Sequence, residues 1–187
     1  MNPIQFIQLS IFIIGTLFLI YVSRKLLFNI KAHGFYRFFV FESCFLLILL
    51  NIPYWFINPY SPLQIISWIL LIISIYLVFH GIYSLKKHGG NKERGNKSGN
   101  YKFENTTCLV KNGVYKYIRH PMYSSLLFLS LGTFLKNISI FSIILIIFSI
   151  LFLIITAKIE EKENINFFGF SYSEYMKETK MFIPFIL

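Results

Sequence analysis

The sequence predicts an all-α membrane protein, a polytopic helical bundle of about five transmembrane helices with a short C-terminal interfacial helix. Three observations predict this class. Of the 187 residues, 56% are hydrophobic and 19% aromatic, against only 14% charged, where soluble domains carry about 25% charge. Apolar stretches recur at the ~20-residue length that a helix needs to cross hydrocarbon. Basic residues gather between those stretches.

Taken in order, residues 1–23 carry no charge. No basic residue precedes them and no small-residue cleavage pattern follows, so they read as a retained helix and not a signal peptide. The second stretch, about 38–57, carries one charge, Glu42, and the third, 62–85, carries none. The fourth, about 120–135, opens at Pro121 and is short for a span; the fifth, 137–157, is again uncharged. Ser171-Tyr172-Ser173-Glu174 then has the spacing of a capping box and predicts a short helix from Ser171, after a break at Gly169. The organisation expected is a single membrane domain over 1–187: three transmembrane helices in 1–85, a cytoplasmic loop over 86–118, and a helical hairpin with its tail over 119–187.

The net charge of +10 invites a nucleic-acid reading, but the Lys and Arg residues form no basic face on a soluble domain. No nucleic-acid partner is expected. Of the 18 basic residues, 17 fall on one side of the predicted spans, and Lys136 alone falls on the other. By the positive-inside rule this places the N-terminus outside and the C-terminus in the cytoplasm. The loop from His88 to Asn100 is rich in glycine and asparagine, yet Asn96 between Gly95 and Lys97 breaks the phosphate-loop pattern G-x-x-x-x-G-K-[ST]. It reads as a flexible linker whose lysines touch anionic headgroups. Cys44 and Cys108 lie in different environments and suggest neither a disulfide nor a metal site.

Two signatures bracket the last two apolar segments: Arg119-His120-Pro121-Met122-Tyr123 at the entrance and Glu160-Glu161 at the exit. Both fall on the cytoplasmic side of the expected topology, so they can meet. Proline suits the first helical position, which puts Arg119 and His120 at a helix N-terminus, where free N–H groups and an Arg fork favour an anion. Alone, the pair reads more readily as interfacial anchors beneath a helix. Adjacent carboxylates at the end of an apolar helix are unfavourable on dipole grounds and call for a compensating cation, hydroxyl or Arg119 itself; Lys158 and Lys162 are the plain alternative. Glu42 is an intramembrane acid and so a functional candidate, or a partner for Arg37. His80 reads as an interfacial histidine or a pocket member.

Leu109-Val110-x-x-Gly113-x-Tyr115-x-x-x-Arg119-His120-Pro121-x-Tyr123, then Gly132, Glu160-Glu161 and Phe168-Gly169-x-x-Tyr172-x-x-Tyr175 with Pro184 resemble the isoprenylcysteine carboxyl methyltransferase and phospholipid methyltransferase family. The resemblance covers about 109–184; Asn164 departs from it, standing where the family usually has leucine. It implies an S-adenosylmethionine-dependent methyltransferase whose site is built from membrane helices, acting on a lipophilic acceptor, foremost a carboxylate such as that of an isoprenylcysteine. Carried over by position, Tyr115, His120, Pro121, Tyr123, Gly132, Glu160, Glu161 and Tyr172 would hold the cofactor, with Arg119 and Glu161 nearest the reacting groups. Other readings are a phospholipid amine N-methyltransferase, an NADPH-dependent membrane sterol or enone reductase, which shares an Arg-His-Pro element, and a non-catalytic membrane scaffold. Neither the acceptor nor the oligomeric state is legible in the sequence.

Overall fold

A computed structural model describes residues 3–90 and 104–186; most of the glycine-rich linker lies outside them. The helices are α1 (Pro3–Leu27), α2 (His33–Asn51), α3 (Pro62–His88), α4 (Pro121–Phe134), α5 (Ile140–Phe168) and α6 (Phe170–Glu178), with 3-10 turns at Ile52–Tyr54 and Gly113–Lys116. The chain is an all-helical, multi-pass membrane protein. Four helices, α1, α2, α3 and α5, are long and apolar enough to cross a membrane. The 14 residues of α4 reach only about 21 Å at 1.5 Å per residue, short of the ~30 Å of hydrocarbon.

What makes a short helix tolerable is how its C-terminal end is met. Unpaired carbonyls in hydrocarbon are costly, and here buried side chains answer them: Asn51 Nδ2 donates to the Thr133 carbonyl at 3.1 Å, and Gln64 Nε2 to the Lys136 carbonyl at 3.1 Å. Lys136, the exception to the charge asymmetry, is itself buried. Its ammonium lies 3.7 Å from the Trp68 ring centroid and donates to Gln64 Oε1 at 3.1 Å. The stray positive charge is thus held against an aromatic face.

Packing joins α3 to α4 and α2 to α5 most extensively, while α1 attaches through α2 and leaves most of its apolar side chains exposed. Small residues let α3 and α4 approach, and hydroxyls bond across them. Ser67 Oγ donates to the Gly132 carbonyl at 2.6 Å, and Ser74 Oγ to the Ser125 carbonyl at 2.7 Å. A Cβ at Gly132 would stand 2.9 Å from Leu71 Cγ and 3.0 Å from the Ser67 carbonyl oxygen. The structure thus places Gly132 in the helix–helix contact, apart from the other residues of the motif expected to hold the cofactor.

Several sequence expectations need correction. Helix α5 does not stop near residue 157; it continues to Phe168, because Ala157, Lys158, Glu160, Glu161, Lys162 and Glu163 are strong helix formers even where hydropathy falls. The Glu pair therefore lies about two turns inside the helix, away from the unfavourable end of its dipole. Gly169 ends it at φ +61° and ψ −137°, a conformation open essentially to glycine alone. Helix α6 starts at Phe170 on that glycine with no side-chain cap bond, so the expected capping box does not form. Its Glu174 instead pairs with the exposed Lys177 at 2.7 Å. Glu42 does not meet Arg37; it accepts from Thr16 Oγ1 at 2.9 Å across α1 and α2.

Candidate functional site

Five elements converge at the end of the bundle where α2 and α4 begin and α5 ends. The entrance motif is fixed by the chain's C-terminal tail, which runs beside it. The Arg119 N–H donates to the Lys180 carbonyl at 2.8 Å, the Lys180 N–H to the Tyr117 carbonyl at 3.0 Å, and the His120 N–H to the Met181 carbonyl at 3.2 Å. Ser124 Oγ, one turn into α4, adds a bond to the Phe182 carbonyl at 2.7 Å. Pro121 occupies the first turn of α4, as expected.

The two signatures do meet. Arg119 Nε donates to Glu161 Oε1 at 2.7 Å, while its Nη1 donates to the carbonyls of Met176, at 3.2 Å, and Thr179. Tyr123 donates its hydroxyl to Glu160 Oε2. The buried His120 ring stacks on Tyr123, with centroids 5.4 Å apart, and its Nε2 stands 3.4 Å from Glu161 Oε1 without hydrogen-bond alignment. Arg119 is thus committed to tying α5 and the end of α6 to the entrance motif.

These groups face a cleft enclosing about 620 Å³, part of it continuous with solvent. Of the residues expected to form a site, Tyr115, Arg119, His120, Pro121, Tyr123, Glu160 and Tyr172 line it; Glu161 stands behind His120 and Arg119, and Gly132 lies elsewhere. Tyr175, Phe168 and Asn164 also line it. Tyr175 donates to the Tyr115 carbonyl at 2.6 Å, which clamps α6 onto the 3-10 turn ahead of the entrance motif. Burial pushes the phenols of Tyr115, Tyr172 and Tyr175 above their ordinary range, so they face the cleft as neutral aromatic rings. Asn164, an oddity in the sequence motif, is a polar neighbour of the Tyr172 hydroxyl. His80 lies outside the cleft, stacked on Tyr76 with centroids 5.1 Å apart.

A second layer from α2 was not foreseen. The Glu163 carboxylate accepts the His33 backbone N–H at 3.1 Å and lies 2.7 Å from His33 Nδ1. It therefore caps α2 from α5, with its charge on the favourable end of the α2 dipole. One turn on, the buried Arg37 donates to both oxygens of Glu104, at 2.9 and 2.8 Å, and Glu104 lines the cleft. The polar rows at the start of α2 carried no signal without their partners, which are 67 and 130 residues away in sequence.

Chemically, the cleft couples two carboxylates to aromatic faces. A ligand with a positive centre, hydroxyls and an apolar body suits it: carboxylates accept from hydroxyl and ammonium groups, and neutral rings attract a cation by about 0.5–2 kcal/mol. A family model described as phospholipid methyltransferase matches residues 63–170, a span that includes α3, the entrance motif and the Glu pair. A protein-S-isoprenylcysteine O-methyltransferase from Saccharomyces cerevisiae is 37% identical over 86 residues, 46% of this chain. The matched stretch is 36% of that protein's length. No solved structure matches the chain.

Proposed function

The chain belongs to the phospholipid methyltransferase family, and from that premise we propose that it is an S-adenosylmethionine-dependent membrane methyltransferase acting on a lipophilic carboxylate. The observation that carries the reading is the cleft itself, with Glu160 held by Tyr123, Glu161 held by Arg119, and buried neutral tyrosines around them. That donor set fits the cofactor: Glu160 toward its amino or ribose groups, His120 and Tyr123 beside its methionine part, and the rings of Tyr115 and Tyr172 near the cationic sulfur. Bound there, S-adenosylmethionine would supply a sulfonium methyl for transfer to an acceptor carboxylate oxygen, with the S–CH3 electron pair going to sulfur and a methyl ester and a neutral thioether as products.

The residues' task is then positioning more than acid–base chemistry, since no proton moves when the acceptor is a carboxylate. Holding two reactants in line is worth up to roughly 7–11 kcal/mol in well-oriented cases. Arg119 serves as a positioning residue: through Glu161 and the Met176 and Thr179 carbonyls it ties α5 and the end of α6 to the entrance motif. A phospholipid amine acceptor is the second reading, favoured by the family's description; it requires a base, and the cleft-lining Glu160 is the candidate. The isoprenylcysteine substrate named for the yeast relative enters here only as the model of a lipophilic carboxylate.

The same reading takes the molecule as one membrane domain, with its N-terminus outside and the cleft on the cytoplasmic face, by the charge asymmetry of its loops. Its test is a titration of the purified full-length protein, in lipid nanodiscs, with S-adenosylhomocysteine and separately with NADPH. Binding of the nucleoside thioether alone is expected. Nicotinamide binding without it would favour a reductase, and binding of neither a scaffold.

A further inference from the structure

An apolar groove runs from the cleft toward the lipid-facing surface, and a buried ion pair stands at their junction. Its walls are Arg37 and Phe41 of α2, Val78 of α3, and Met122, Ser125 and Leu126 of α4. Glu104, Met122 and Tyr123 line both groove and cleft. Phe41 and Leu126 also line a second apolar hollow between α1, α2 and α4, beside Phe18 and Leu129. Phe41, Val78, Met122 and Leu126 are only half-buried, so the groove reaches the surface of the bundle. One guanidinium is therefore set where an apolar channel meets the cleft.

Arg37 is 2% exposed and Glu104 15%. A pair taken this far from water gains little stability over apolar residues of similar size. As a recognition device the arrangement has clear value. A ligand carboxylate that displaces Glu104 gains a charge-assisted bond to a buried guanidinium, which a ligand without a carboxylate cannot make. Glu104 approaches from the loop ahead of the entrance motif, and both its oxygens contact a single nitrogen, Nη1.

Resting on the methyltransferase reading above, we infer that Arg37 selects a carboxylate acceptor, and that Glu104 occupies the position which the acceptor's carboxylate takes, so that substrate must displace it. The acceptor's hydrocarbon chain lies along Phe41 and Leu126. Its charged end then enters the cleft beside Tyr123. Two carboxylates compete for one guanidinium, which makes Glu104 an internal stand-in that sets the apparent affinity for substrate.

The test uses the full-length chain in phosphatidylcholine nanodiscs with saturating S-adenosylhomocysteine, titrated with N-acetyl-S-farnesylcysteine and with its carboxamide. The acid is expected to bind about tenfold more tightly than the amide: one good charged hydrogen bond is worth up to roughly 100-fold, and displacing Glu104 takes back about tenfold. Glu104→Gln should tighten binding of the acid, about tenfold if a tenth of molecules have Glu104 displaced. The double variant Arg37→Met with Glu104→Met, which removes both members of the ion pair, should bind acid and amide equally, with its helix content checked by circular dichroism. Equal binding of acid and amide by the unmodified chain would overturn the inference, as would a preference for acid that survives in the double variant, or weaker acid binding by Glu104→Gln. Failure of S-adenosylhomocysteine to bind the unmodified chain would instead sink the methyltransferase reading.

Discussion

Replacing Arg119 tests how the cleft is held together. Its side chain makes three hydrogen bonds, one to a carboxylate and two to the carbonyls that end α6. Hydrogen bonds to charged groups are worth about 1.5–3 kcal/mol each, but such values do not add within one network. Removing one partner of a buried pair costs about 3–5 kcal/mol, so that range is the expected loss for Arg119→Met. Arg119→Lys keeps the charge without the fork and should lose roughly half as much. The loss falls on the local seam between the entrance motif and the tail, so its readout is hydrogen exchange at the amides of Arg119, His120 and Lys180, each bonded across that seam. At about 1.4 kcal/mol per factor of ten, 3 kcal/mol speeds their exchange by about 100-fold in Arg119→Met, while amides in the middle of α3 keep their protection. S-adenosylhomocysteine affinity should fall with it. Unchanged exchange at those three amides would refute the positioning role, and so would lost affinity without faster exchange, which would mark Arg119 as a direct ligand.

Tyr123→Phe removes the hydroxyl that holds Glu160 and should weaken S-adenosylhomocysteine binding by about tenfold or more, the equivalent of one charge-assisted bond; calorimetric titration measures it. Gly132→Ala should lower thermal stability by about 1–3 kcal/mol through overpacking against Leu71 and Ser67, with the dissociation constant for S-adenosylhomocysteine unchanged; a weakened constant with intact stability would return Gly132 to the binding site. Tyr175→Phe leaves the Tyr115 carbonyl without its donor and should cost about 1–3 kcal/mol, read by thermal unfolding. The pH dependence of that region follows from burial, which raises the Tyr172 and Tyr175 phenols above the ordinary value near 10. Between the unfolded and the folded pKa the unfolded chain binds fewer protons than the native one, so stability is complete below pH ~10 and falls as pH rises beyond it. Phenolate absorbance of the unmodified chain and Tyr175→Phe should therefore coincide until unfolding begins; an excess phenolate in the unmodified, still-folded chain at pH ~10.5 would contradict the burial.

The sequence by itself determined the class of molecule. Uncharged stretches of spanning length have few other uses in a chain this apolar, and Pro121 and Gly169 act through their own backbone restrictions, so the start of α4 and the break before α6 needed no partner to be read. The pairing of Arg119-His120 with Glu160-Glu161 was legible for a similar reason: charges placed at one membrane face are expensive unless they meet. Only the tertiary structure decided that α5 runs on unbroken to Phe168, because its polar last turns are held by partners distant in sequence, Glu161 by Arg119 and Glu163 by His33. It also decided that Gly132 serves the α3–α4 contact and that the tail runs beside the entrance motif. Glu104, His33 and Glu163 carried no site signal in the sequence, and Arg37 only as a possible partner of Glu42, for a related reason. What distinguishes them is a partner distant in sequence, and electrostatic pairing depends on distance in space, which no local pattern of residues records.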